Sequence, residues 1–272
     1  MAKIDKRIAI LGFGNIGSSI ANGLVRTKFV EAQELLVTDR NKSVFEKVRE
    51  SGIRASTDNS EALANSDVLI LAVTPQQING LLDEIKGEID ERHIVISIVS
   101  GASVRKIKGH LEKDVPVVRV MPNTAISIGE SMTCICADEQ DAEAVELTRQ
   151  IFNSGGETIV ISEDLMGPAT ALCGCGTAFF LRAIRAASQG GIEIGFHAAE
   201  AIFMAAQTAK GAASMLIKDG AHPEGEIDKV TTPQGISIAG LNQMEHHGFS
   251  SSLIRGIVSA ATKAEHIYSD GE

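Results

Sequence analysis

Gly12-Phe13-Gly14-Asn15-Ile16-Gly17 places three glycines in the G-x-G-x-x-G spacing, directly after an apolar run, Lys6 to Leu11, that reads as a short buried strand. Ile16, Ile20, Leu24 and Val25 then recur on one helical face, so the glycines fall between a predicted strand and a predicted helix. In that setting Gly12 permits the tight turn, Gly14 lets backbone approach a pyrophosphate, and Gly17 allows close helix packing. The first N–H groups of the helix, with Phe13, Asn15 and Ile16 filling out the loop, face the phosphates. The chemistry is dinucleotide binding. Asp39 ends the second predicted strand, where a carboxylate accepts from the 2′-OH of NAD and repels a 2′-phosphate, whereas the adjacent Arg40 can pair with that phosphate. The pair therefore points to both NADH and NADPH, with a surface Asp-Arg turn as the structural alternative.

Three more loops follow the C-terminal ends of predicted strands, where ligands of open α/β sheets lie: Ala72 to Gln76, Ser97 to Gly101 and Met121 to Thr124. They predict a nicotinamide floor drawn from Ala72, Val73, Thr74, Pro75, Ser100 and Asn123, and Asn59 joins the expected cofactor contacts. Reducing a ketone requires a proton for the developing alkoxide. The chain has no Lys between Lys113 and Lys210 and no His between His110 and His197, so the central helix of the second half offers no obvious acid. An imine needs less help, since its nitrogen can arrive already protonated as an iminium and hydride addition then leaves a neutral amine, which favours a C=N substrate.

These residues need a scaffold. Helices are expected at Ser43 to Ser51, Ser60 to Asn65, Gln76 to Lys86, Ser103 to Leu111 and Asp141 to Asn153. Strands are expected at Glu34 to Thr38, Asp67 to Val73, His93 to Ile98, Val115 to Met121, Ser131 to Ala137 and Thr158 to Ile161. Most are apolar on both faces, as in a parallel sheet covered by helices, and the alternation reads as an α/β Rossmann domain, a doubly wound parallel sheet, over 1–162. From 163 to 272 the strand signals stop, and helical segments follow at Leu165 to Gly195, Ala198 to Asp219 and Phe249 to Tyr268. Residues 1–163 carry 18 basic and 24 acidic side chains, against 7 and 11 in 164–272. Helices so poor in charge cannot all face water, which predicts an all-helical C-terminal dimerisation domain.

Composition narrows the partners. The chain has 272 residues, 44% of them hydrophobic and 22% charged, which excludes disorder and collagen-like repeats. A net charge of -10 with no long basic run argues against nucleic acid. Continuous apolar runs such as Val68 to Val73 fall far short of the roughly 20 residues of a membrane span. The start MAKIDKRIAILGFG lacks a signal-peptide pattern, so a cytoplasmic protein without a membrane partner is expected. Cys134, Cys136, Cys173 and Cys175 form C-x-C pairs without zinc-site spacing and read as small buried residues. His222, His246 and His247 read as solvated loop histidines, so no metal site is expected.

The stretches ILGFGNIGSSIANGL, LAVTPQ, RVMPNTA, GCGTAFF, GGIEIGF, AAQTAKGAASML and HPEGEIDKVTTPQGISIAGLNQMEHHGF resemble the pyrroline-5-carboxylate reductase family over nearly the whole chain. The signature loop, Val230 to Leu241, departs from the family pattern at Gln234, where a Gly is usual, and at Ser237, where a Thr is usual. Thr74 stands where a Lys is usual. The resemblance implies reduction of 1-pyrroline-5-carboxylate to L-proline with NADPH or NADH. It implies that backbone N–H groups at Ile236 and Ser237, with the Thr232 and Ser237 hydroxyls beside Gly235, hold the substrate carboxylate, and that Ser237 and Thr232 serve catalysis. It also implies a homodimer completing each site from two chains, and a ring of dimers as a further assembly. A helix start at Ser237 or Ile238 would present free N–H groups to an anion, and a Gly-like positive φ would strain Gln234 by roughly 1 kcal/mol or more. A non-catalytic dinucleotide-binding homologue, or a reductase of another imine or a β-hydroxy acid, are the competing readings.

Overall fold

The computed structural model describes residues 6–269, with side chains through Ala264 apart from that of Asp219. The reading that the start carries no signal-peptide pattern falls in part on residues 1–5, outside those described.

Ile8–Leu11 (β1) and Val68–Leu71 (β4) are buried at every position, because each strand lies between two layers of helices. Their side chains alternate: Ile8, Ile10, Val68 and Ile70 enter one core, while Ala9, Leu11, Leu69 and Leu71 enter the other. The other strands are Leu36–Thr38 (β2), Arg54–Ser56 (β3), Ile94–Ser97 (β5), Val117–Met121 (β6), Ser131–Ala137 (β7) and Gly156–Val160 (β8). They form one sheet in the order β3-β2-β1-β4-β5-β6-β7-β8. All neighbours pair parallel except β6 and β7, which run antiparallel with Met121 opposite Cys134. The sheet is thus the expected doubly wound parallel one with a single antiparallel pair, and the cause of that pair is the connection. Only Pro122 to Glu130 separates the two strands, too short for the dozen or more residues of a parallel crossover.

The helices of the sheet-bearing part are Asn15–Arg26 (α1), Phe45–Glu50 (α2), Asn59–Asn65 (α3), Ile78–Ile85 (α4), Val104–Leu111 (α5) and Ala142–Asn153 (α6). Ile20, Ala21 and Leu24 carry the buried face of α1, and Gly23 lets it press on the 3-10 turn Thr124–Ile128, where a Cβ would stand 2.6 Å from the Ile126 carbonyl. Lys108 ties α5 to the segment before α6 by bonding Asp138 and Asp141, each at 2.7 Å.

Met166–Ala169 (α7) leads into a π-helical stretch, Thr170–Cys175, and then Gly176–Glu193 (α8). Met166 and Ala169 pack with Met121, Cys134 and Cys136, so the first compact unit runs on to Cys175, and the chain from Ala260 belongs to it as well. Glu163 anchors this entry: its Oε1 accepts from the buried Arg119 at 2.6 Å and from the Val104 N–H at 2.9 Å.

The second compact unit, Gly176–Ser259, is all helical. It holds α8, Ala198–Asp219 (α9), Pro223–Val230 (α10), Ile236–His246 (α11) and the start of Phe249–Ser269 (α12). α8 and α9 approach through small residues: a Cβ on Gly191 would lie 3.1 Å from that of Ala201. The unit leaves large apolar side chains in water, among them Phe180, Phe203, Ile217 and Ile254. The helical stretch Glu163–Glu193 is long and apolar enough, by length and composition, to cross a membrane. Gly167, Pro168, Thr170, Gly174, Gly176 and Thr177 divide it into short apolar runs, and Arg182 and Arg185 lie within it. The histidines expected in loops sit at helix ends: His222 caps α10, His246 ends α11 and His247 follows it.

Candidate active site

The three glycines of the first loop occupy three different environments. Gly12 has φ +109 and its Cβ would stand 2.5 Å from the Ala72 carbonyl oxygen, so only glycine fits the turn between β1 and α1. A Cβ on Gly17 would meet the Gly12 carbonyl oxygen at 2.3 Å, which keeps helix and loop in contact. Gly14 is the reverse case, with nothing within 4 Å of a Cβ. It caps α1 with no side-chain hydrogen bond, so the N–H groups of Asn15 and Ile16 open onto that space. A backbone cradle with room above it and uncapped helix donors fits a dinucleotide pyrophosphate.

Asp39 holds this loop rigid. Its Oδ2 accepts from the Phe13 N–H at 2.8 Å and its Oδ1 from the Asn41 N–H at 2.8 Å, which leaves each oxygen a further lone pair for a ribose hydroxyl. Phe13 itself packs into the core. Asn59, also buried, joins elements: Oδ1 accepts from Thr38 Oγ1 at 2.5 Å, and Nδ2 donates to Glu84 Oε1 at 3.0 Å. Thr74 opens the turn Pro75–Gln77, and Gln77 Oε1 accepts from both its N–H (3.2 Å) and its hydroxyl (3.0 Å).

One cleft at the C-terminal edge of the sheet brings together Gly12, Gly14, Asp39, Arg40, Asn59, Ala72, Val73 and Thr74. Pro75 and Ser100 line a neighbouring cleft between α4 and α5. Asn123 lies after β6, donating from Nδ2 to the Cys173 carbonyl (3.2 Å) while its Oδ1 accepts from the Ala125 N–H (3.0 Å). Sequence reasoning missed Leu11, Thr38, Thr57, Gln77, Gly80, Leu81 and Glu84, which complete the wall of the first cleft. Thr38 was legible, since it ends a strand one residue before Asp39. Gly80 and Glu84 sit on α4, whose sequence marks only its apolar face.

In the second unit, Thr232-Pro233-Gln234-Gly235 makes a tight turn in which the Gly235 N–H donates to the Thr232 carbonyl at 2.8 Å. Pro at the second position and Gln234 at φ +61 are the marks of a type II turn. Gly235 fills a place where a Cβ would stand 2.6 Å from Thr232 Oγ1 and 2.8 Å from its carbonyl oxygen. The turn delivers the chain into α11 at Ile236, earlier than the expected start at Ser237 or Ile238, with Gly235 as N-cap and no side-chain cap. The N–H groups of Ile236 and Ser237 are therefore first-turn donors beside the Thr232 hydroxyl, at the positive end of an 11-residue helix. Such a turn can hold a carboxylate.

Comparison with known proteins accords with both halves. Residues 163–267 match the family model for pyrroline-5-carboxylate reductase dimerisation, and residues 7–101 match one described as NADP oxidoreductase, coenzyme F420-dependent. The chain is 51% identical to pyrroline-5-carboxylate reductase 1 of Dictyostelium discoideum across 98% of its own length, spanning about half (51%) of that longer relative. With pyrroline-5-carboxylate reductase 2 of the same organism it shares 49% identity across 96% of this chain and 93% of the relative. The solved pyrroline-5-carboxylate reductase of Coxiella burnetii superposes with a TM-score of 0.87 at 27% identity, covering 97% of this chain and 99% of that one. A nucleotide cradle on a Rossmann sheet, an uncapped helix start behind a Pro-Gln type II turn, and near-full-length identity of 49% to a pyrroline-5-carboxylate reductase place this chain in the pyrroline-5-carboxylate reductase family.

Proposed function

We propose that this chain reduces 1-pyrroline-5-carboxylate to L-proline with NADPH or NADH. The observation that carries the reading is the uncapped start of α11 behind the Thr232–Gly235 turn, in a chain of this family. A dinucleotide held by these residues would supply the hydride. The chain's part is positioning: Gly12, Gly14 and Gly17 with Asn15 and Ile16 seat the phosphates, and Asp39 and Arg40 read the ribose. Val73, Thr74, Pro75, Ser100 and Asn123 are the proposed nicotinamide side. Ile236 and Ser237 N–H groups and the Thr232 and Ser237 hydroxyls orient the imine through its carboxylate. Ser237 also donates toward the ring nitrogen, which becomes an amine as hydride adds to carbon. Bringing reacting atoms to about 3 to 3.5 Å accounts for much of the rate enhancement without a covalent intermediate.

Gln234 bears on the competing, non-catalytic reading. Its own φ of +61 supplies the conformation a glycine would, so the substitution costs strain without abolishing the turn. In this proposal residues 1–162 bind the dinucleotide, and 163–272 carry dimerisation and substrate binding. The exposed groove of about 1040 Å3 lined by Phe180, Ile184, Phe196, Met204, Met244 and Phe249 is covered by a second copy, dimers assemble into a ring, and the enzyme works in the cytoplasm. Chromatographic detection of L-proline from 1-pyrroline-5-carboxylate and NADPH tests the reaction, and Ser237→Ala should lower its rate. Absence of proline from protein that binds the cofactor would overturn it.

A further inference from the structure

Cys134 lies on β7 and Cys173 in the π-helical stretch, 39 positions apart, yet their sulfurs stand 3.8 Å from each other. No role has been given to this pair. Its surroundings are sulfur-rich and apolar, with Met121, Met166, Cys136 and Ala169 around it. The two thiols are unlike. Cys134 is 3% exposed, and its S–H donates to the Cys173 sulfur. That bond and burial push the Cys134 thiol up, while the same bond holds the half-buried Cys173 below the ordinary cysteine range against the opposing effect of burial. Cys136, on the same face of β7, is pushed up to about 11 by burial. The four thiols, expected to be uniformly buried, thus separate into buried Cys134 and Cys136, half-buried Cys173 and exposed Cys175.

We propose that Cys134 and Cys173 form a reversible disulfide when the protein meets a two-electron oxidant such as hydrogen peroxide. The accessible Cys173 thiolate attacks a peroxide oxygen, the O–O bond breaks, and Cys173 becomes a sulfenic acid with release of hydroxide. The Cys134 sulfur then attacks the Cys173 sulfur, the S–O bond breaks, and the Cys134 proton leaves with the oxygen as water. In sum, two thiols are oxidised and one peroxide is reduced to two waters. A dithiol reverses the bridge by thiol exchange. Closing 3.8 Å to the roughly 2.0 Å of an S–S bond moves the π-helical stretch, which offers the more yielding backbone against β7, a strand paired on both sides. The Cys173 carbonyl accepts from Asn123 Nδ2, so the movement reaches the loop after β6 on the proposed nicotinamide side.

The test oxidises the reduced full-length protein with hydrogen peroxide, blocks remaining thiols with iodoacetamide and maps peptides by mass spectrometry. Two of the four thiols should be lost, with one linked pair, Cys134 to Cys173, that dithiothreitol releases. Cys173→Ser should abolish the link, whereas Cys134→Ser should leave Cys173 as a sulfenic acid that dimedone labels. Cys136→Ser and Cys175→Ser should leave the link intact. The NADPH dissociation constant of the oxidised form should rise about five-fold, the loss of one ordinary hydrogen bond. A full complement of four thiols after peroxide, or a bridge through Cys136 or Cys175, would overturn the proposal. A complete bridge with unchanged NADPH affinity would overturn its link to the cofactor loop, and that readout is independent of whether the chain reduces the proposed imine.

Discussion

Replacing Gln234 with glycine should make the protein more stable, against the usual trend of substitutions. Gln234 sits at φ +61 in the Thr232–Gly235 turn, where an L-residue carries about 1 to 2 kcal/mol of strain from its Cβ. Glycine removes that strain and adds about 0.5 to 1 kcal/mol of unfolded-state entropy. The net gain therefore lies between about 0 and 1.5 kcal/mol and centres near 0.75 kcal/mol, or roughly 1.5 to 3 °C in Tm for a chain of this size. Gln234→Val is the opposing control, because a β-branched side chain tolerates positive φ least and should lose about 1 kcal/mol or more. Calorimetry on the two variants and the parent, at one protein concentration, reads both signs. The kinetics should follow the geometry: KM for the imine is nearly unchanged in Gln234→Gly and raised in Gln234→Val, since the turn aims the α11 N–H groups. A Gln234→Gly protein less stable than its parent by 1 kcal/mol or more, with a neutral Gln234→Val, would refute the turn as described.

Other substitutions separate fold from function. Gly12→Ala drives a Cβ into the Ala72 carbonyl at positive φ and should cost about 2 kcal/mol or more in denaturant titration, whereas Gly14→Ala should fold normally yet weaken NADPH about ten-fold in fluorescence titration. Gly235→Ala places a Cβ 2.6 Å from Thr232 Oγ1 and should lower kcat/KM for the imine at least about ten-fold, by loss of about 1.4 kcal/mol of binding. Burial pulls the Lys108 pKa down, but its bonds to Asp138 and Asp141 outweigh that and leave it above 10.5. The stabilisation from a raised pKa is present in full below 10.5 and is lost as pH climbs through the folded value. Lys108→Met should therefore be less stable than the parent by about 1 kcal/mol at neutral pH, with the difference closing in strongly alkaline buffer.

Much of the nucleotide side is legible in the chain because its devices are local. A strand, three spaced glycines and an acidic residue at the next strand end are all adjacent in sequence, and the structure draws Gly12, Gly14, Asp39 and Arg40 to one cleft. What stayed hidden depends on contacts distant in sequence. β3, Arg54–Ser56, is short and half-exposed at the sheet edge, so it shows no apolar run. The reversal of β7 follows from the length of the preceding loop, which no strand propensity reports. Glu84 reaches the cleft through Asn59, 25 positions away, and the 3.8 Å approach of Cys134 and Cys173 exists only once α7 has packed on β6 and β7. The positive φ of Gln234 could be inferred only from the place a glycine holds in the family's loop.

The central claim, that the start of α11 binds the imine through its carboxylate, is tested most directly by following oxidation of NADPH and NADH with 1-pyrroline-5-carboxylate and with 1-pyrroline, which lacks that group. With two charge-assisted hydrogen bonds at about 1.5 to 3 kcal/mol each, kcat/KM for 1-pyrroline should fall by a factor of about 100 or more. Comparable rates for the two imines, or no oxidation with 1-pyrroline-5-carboxylate by protein that binds either cofactor, would contradict the account.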